Sequence, residues 1–103
     1  MTSSISPIER TEFLALLNVA RDNARRVHDH VKEESDRRLA ATTTEILSGW
    51  ITKVGEGSVH VVRGQGQHAA GMGLWRGVSD WSEDVQLLDS IHELEQFFRA
   101  LQA

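Results

Sequence analysis

Apolar residues recur at helical spacing at both ends of the chain, with a different pattern between them. From Phe13 the series runs Leu17, Ala20, Ala24, Val27, Val31, with steps of four, three, four, three and four. This is a heptad seam on one face of a helix. Leu14 and Leu16 widen its early part, as expected where a helix faces a core. The start is marked by Ser6-Pro7-Ile8-Glu9, a serine cap before a proline at the first helical position, with glutamate three residues after the cap. Charged pairs such as Glu33 with Arg37 and Glu34 with Arg38 lie four apart on the other faces and mark them as solvated. The spacing predicts one helix over residues 6–41, ended by the run Thr42-Thr43-Thr44, with residues 1–5 a disordered lead-in. Such a helix would be about 50 Å long. A domain of this length has a radius of gyration of about 13 Å, so the helix would overhang it and call for support from a second chain.

The middle, residues 43–78, reads as β-rich. Ile46-Leu47 and Trp50 to Val54 are followed by Gly55-Glu56-Gly57-Ser58 and then Val59 to Val62, a hairpin signal. Met72 to Val78 supplies a third strand. A competing reading takes Thr42-x-x-Glu45 as a second capping box and Gly49 as its stop, which adds a short helical turn. Glycines at 64, 66, 71, 73 and 77 make residues 64–77 a loop rather than a helix. The last element is a second helix over residues 80–102, capped near Asp80 or Ser82. Leu87, Ile91, Leu94, Phe98 and Leu101 form its apolar stripe. The expected fold is thus a single α+β domain over residues 1–103: a long N-terminal helix with a heptad seam, a small antiparallel hairpin or three-stranded sheet, and a C-terminal amphipathic helix.

Composition narrows the functional classes. The 103 residues are 40% hydrophobic and 25% charged, a globular balance. Cysteine is absent, which excludes disulfides, thiolate zinc sites and cysteine nucleophiles and fits a cytoplasmic protein. Neither a signal peptide nor an apolar run of about 20 residues is present, so no membrane is expected. Net charge is −4. Residues 1–40 are balanced, and from Asp80 onward the acids outnumber the lone Arg99. Nucleic acid is therefore a disfavoured partner.

Each motif with catalytic overtones has a plainer explanation. His92-Glu93-Leu94-Glu95-Gln96 resembles a zinc-protease helix, but Gln96 stands where the second histidine must be. His28 and His30 are two apart and face different ways on a helix, so they do not share a metal. Gly64-Gln65-Gly66-Gln67-His68-Ala69 fits G-x-G-x-x-A, yet the glycines that follow deny it the helix that a dinucleotide fingerprint opens. What survives is an anion-binding nest of backbone N–H groups, with Arg63, Gly64, Gly66, His68 and Arg76 as candidate ligand residues. No cofactor, metal site or catalytic residue is expected.

The order of heptad-bearing helix, hairpin and second helix is loosely similar to prefoldin-type chaperone subunits, in layout alone and without shared motif residues. The expected function is a non-enzymatic protein-interaction module: a homodimeric adaptor, regulator or chaperone-like subunit. Its contact residues would be the seam, Phe13, Leu17, Ala20, Ala24, Val27 and Val31, together with Trp75 and Trp81. The alternative is a domain that binds phosphate, a nucleotide or another small ligand, with or without hydrolysis, through the glycine-rich loop. Nucleic-acid binding ranks last.

Overall fold

The computed structural model describes residues 2–103. The chain runs β1 (Thr2–Ser4), α1 (Pro7–His30), α2 (Glu34–Gly55), β2 (His60–Val62), a 3-10 turn (Gly66–His68), α3 (Leu74–Ser79) and α4 (Val85–Gln102). α1 begins as its sequence requires. Ser6 Oγ accepts from the Glu9 N–H at 3.1 Å, and the Ser6 N–H donates to Glu9 Oε1 at 2.8 Å. Pro7 occupies the first turn, where its missing N–H costs nothing.

The predicted 36-residue helix is instead two. Val31 turns extended at φ −73°, ψ 141°, α1 ends at His30, and α2 folds back along it. The seam accounts for this. Phe13, Leu17, Ala20, Ala24 and Val27 are buried, and α2 supplies Ala40, Thr43, Leu47 and Val54 as a complementary stripe. The overhang expected of a long helix does not exist, because the chain covers its own seam.

Ile46 to Val54, read as the first strand of a hairpin, is helical. β-branched residues resist helices because they lose rotamer freedom and their hydroxyls compete for backbone groups. Here the competition is settled inside the helix. Thr43 Oγ1 donates to Leu39 O at 2.9 Å, Thr44 Oγ1 to Ala40 O at 2.9 Å, and Thr52 Oγ1 to Ser48 O at 3.2 Å. α2 ends where Gly57 takes φ +72°, with its N–H on Val54 O.

The architecture remains α+β in the broad sense, mostly helical with a two-stranded antiparallel sheet. Neither the hairpin nor the third strand forms. β2 pairs instead with β1, Ser3 opposite Val61 and Ser4 opposite His60, so residues expected to be disordered are ordered as its partner. The stretch assigned to a third strand carries α3. α4 starts at Val85 rather than at residue 80, and its cap is Asp84, not Asp80 or Ser82: the Asp84 carboxylate accepts from the Leu87 N–H at 2.9 Å. Leu87, Ile91, Leu94 and Leu101 of the predicted stripe are buried, and Phe98 is half-buried.

α1 is the central helix, flanked by α2 and α4, while α3 lies on α4. Phe13 anchors the core at one end. Its ring centroid lies 5.5 Å from Phe97, 6.0 Å from Trp50 and 6.1 Å from Phe98. Tilted aromatic clusters of this kind contribute beyond their buried area.

Candidate functional site

The glycine-rich loop is held by the chain itself. The Arg63 guanidinium bonds Glu9 Oε1 at 2.9 Å, Leu101 O at 2.9 Å and Ser3 Oγ at 3.1 Å, which ties β1, α1 and the end of α4 together. This pairing, with the Ser6 N–H, holds the Glu9 carboxyl below its ordinary pKa. Gly64 and Gly66 adopt positive φ, as a tight turn requires. Several N–H groups of the loop are taken: Gln65 donates to Gln102 O at 2.7 Å, Gly64 to Ala103 O at 3.4 Å, His68 to Gln65 O at 3.0 Å and Ala69 to Gly66 O at 3.2 Å. His68 is exposed on the 3-10 turn, and Arg76 is exposed on α3. Of the five candidate ligand residues, Arg63 is thus a clamp between elements, its guanidinium engaged inside the chain.

The expected contact residues divide into three groups. Phe13, Leu17, Ala20, Ala24 and Val27 belong to the chain's own core, so they present no surface to a partner. Trp75 is 42% exposed and meets the His92 ring edge-on at 5.7 Å. Beside it, Glu95 is buried and accepts from the Met72 N–H at 2.6 Å, which fastens the approach to α3 onto α4. Val31 and Trp81 come together in a cleft of about 430 Å³ between the α1–α2 turn and the α3–α4 connection.

That cleft is polar and mostly acidic. Asp36, Asp80, Glu83 and Asp84 line it, with Arg26 and His30 opposing them. Arg26 Nη2 meets Asp84 Oδ1 at 2.6 Å and Nη1 meets Oδ2 at 3.0 Å, a two-pronged pair. Arg26 chiefly, and the Leu87 and Gln86 N–H groups after it, hold the Asp84 carboxyl below its ordinary pKa, against the opposing effect of burial. Trp81 Nε1 and Arg26 Nε are both buried without a hydrogen-bond partner.

Trp81 also lines a second opening, of about 180 Å³, which sequence reasoning missed. This groove runs between α2 and α3, with Leu39, Thr42 and Ile46 on one wall and Leu74 and Val78 on the other. Its lining is almost wholly apolar. Leu39 is 41% and Ile46 45% exposed. The signal was present in the chain: between Leu39 and Thr52 the only charged residue is Glu45. Dividing these residues between a helix ending at Ala41 and a following strand concealed it.

Three of the five histidines have polar partners within the chain. His28 Nδ1 is 3.1 Å from Asp29 Oδ1, His30 Nδ1 is 2.7 Å from Arg26 O, and His60 lies against Ser4. Among the described residues no group of three His, Cys, Asp or Glu side chains is placed to hold a metal, and no helix is long and apolar enough to cross a membrane. Compared with protein-family models, with curated proteins and with solved structures, the chain has no match in any of the three.

Proposed function

We propose that this chain is a small, non-enzymatic protein-interaction module of the adaptor or regulator type, working in the cytoplasm and associating with itself. One observation carries the reading: the outer face of α2. Isolated exposed apolar residues are ordinary on any protein. This face is different because Leu39 and Ile46 are joined by Thr42 into one stripe that opens directly into the apolar groove, with Glu45 the single charged residue between them in the sequence. Contiguous apolar surface of this kind is characteristic of contact sites. The outer face of α1 makes the contrast: Glu12, Asp22, Arg25 and Asp29 are exposed there, and the exposed Val19 stands singly among them.

The polar groups favour the same reading. Arg63, Glu9, Arg26, Asp84 and Glu95 are engaged in fastening one element to another. The loop that would carry a phosphate gives its Gly64 and Gln65 N–H groups to the carbonyls of Ala103 and Gln102. Light scattering over a concentration series, with native mass spectrometry on the same sample, tests the proposal. The expected result is a mass rising toward two chains with no small molecule bound. A single-chain mass at every concentration, or a bound metabolite, overturns it.

A further inference from the structure

We infer that two copies of the chain pair antiparallel through the outer face of α2, in the register that sets Arg38 of each copy against Glu45 of the other. This rests on the self-association proposed above and specifies its geometry.

α2 carries two stripes of heptad spacing. One, Ala40, Thr43, Leu47 and Val54, is buried within the chain. The other, Ser35, Leu39, Thr42 and Ile46, steps by four, three and four, and every member is exposed. A stripe repeating at this spacing is what a second helix packs against, with side chains meeting in layers. The groove shapes the place: Leu74, Val78 and Trp81 form its far wall, so a helix laid on Leu39 and Ile46 is flanked by α3 as well.

Charge selects the occupant and the register. Arg38 and Glu45 each immediately precede a long apolar member of the stripe, Leu39 and Ile46, and so hold equivalent flanking positions one heptad apart. When two identical helices pack antiparallel, flanking positions of the same kind face each other across the seam. In the register that layers Leu39 on Thr42 and Ile46 on Ser35 of the second copy, Arg38 faces Glu45, and two-fold symmetry repeats the pair. Sliding by one heptad layers Leu39 on Gly49 and Ile46 on Thr42, and it brings Glu45 against Glu45. Like charges oppose that arrangement. In both registers each long apolar side chain meets a short one, as interdigitating layers require, so charge decides between them. Both charged groups are free to reach across: the Arg38 side chain is 79% exposed, with only Glu34 nearby at 3.6 Å, and Glu45 is exposed without an ion pair among the described residues. The seam is short, so the dimer belongs with weak assemblies and dissociates within a measurable range.

Sedimentation equilibrium from micromolar to millimolar protein tests the geometry with Arg38→Glu, Glu45→Arg and the double variant, each first checked for unchanged helicity. Each single reversal should weaken self-association by about tenfold, since it places like charges together twice. The double variant should restore it. Mixing the two single variants should give a heterodimer tighter than either homodimer. Wild-type dimers unaffected by either reversal, or single reversals that the double variant does not rescue, overturn this geometry and leave the interaction module standing. A wild-type chain that stays monomeric throughout overturns both.

Discussion

One oxygen of Asp84 serves two masters: Oδ1 accepts from Arg26 Nη2 at 2.6 Å and from the Leu87 N–H at 2.9 Å. A single carboxylate thus caps α4 and pins it to the far half of α1. Asp84→Asn keeps a capping oxygen and loses the charge, whereas Asp84→Ala loses both and leaves Arg26 unpaired. Asp84→Ala should destabilise the protein by about 1–2 kcal/mol, as a lost N-cap does. Asp84→Asn should cost less than about 1 kcal/mol, the pair being partly exposed. Urea denaturation of the two variants checks the ranking.

Acid should weaken the fold through the same carboxylates. Glu9 and Asp84 have ordinary pKa values of 4.5 and 3.8, and both are lowered in the folded chain. The unfolded chain therefore takes up these protons at higher pH than the folded chain does. Their contribution is complete above those ordinary values and disappears as pH falls through the lower folded ones. Thermal unfolding followed from pH 6 downward should show midpoints dropping most below about pH 4.5. Glu9→Gln combined with Asp84→Asn should flatten that drop.

Arg63 gathers Ser3, Glu9 and Leu101, so a flexible cation cannot replace it. Hydrogen bonds to charged groups are worth about 1.5–3 kcal/mol each, and a planar guanidinium makes several here at once. Arg63→Lys should lose most of the stability that Arg63→Met loses, measured by chemical denaturation. Inorganic phosphate should leave the melting temperature of the wild type unchanged, because Arg63 and the Gly64 and Gln65 N–H groups are engaged within the chain.

Two glycines should respond in opposite directions. Gly73 sits at φ +79° before α3, so Gly73→Ala should cost about 1–3 kcal/mol through backbone strain alone. Gly49 lies within α2 with nothing inside 4 Å of an added Cβ. Gly49→Ala should stabilise by about 0.5–1 kcal/mol. Paired denaturation curves decide both.

Phe13→Ala removes the ring at the centre of the aromatic cluster and should cost about 3–5 kcal/mol. The same curves against wild type measure it.

The ends of the fold could be read from the chain because their signals are local. The Ser6–Glu9 box, the seam from Phe13 to Val27 and the stripe from Leu87 to Leu101 each need only neighbouring residues to be recognised. α2 could not be read so directly. Thr42 to Thr44, Ile46, Trp50 and Ile51 favour strands when taken singly, and only burial against α1 makes a helix the better outcome. Its stripe of Ala40, Leu47 and Val54 was visible in the sequence, but the β-branched residues around it outweighed it. The break at Val31 carries no glycine or proline, so nothing local announced it. β1 was equally hidden: three residues pair with a strand some 56 residues away, a relation no window of sequence contains. Of the contact residues, Val31 and Trp81 do meet at one cleft. Leu39 and Ile46 were overlooked because Leu39 was given to the end of the first helix and Ile46 to a strand, which splits a stripe that exists only when both lie on one helix.

The clamp around Arg63 has a consequence for topology. Ser3, Gly64 and the last carbonyls of α4 all lie there, so the two ends of the described chain meet in one neighbourhood. A short linker could join them, and a new opening could be cut at the exposed Lys32–Glu33 turn. In such a circular permutant every contact persists, but α1 and α2 cease to be neighbours in sequence and must find each other last. Its folding rate, more than its stability, would register the rearrangement.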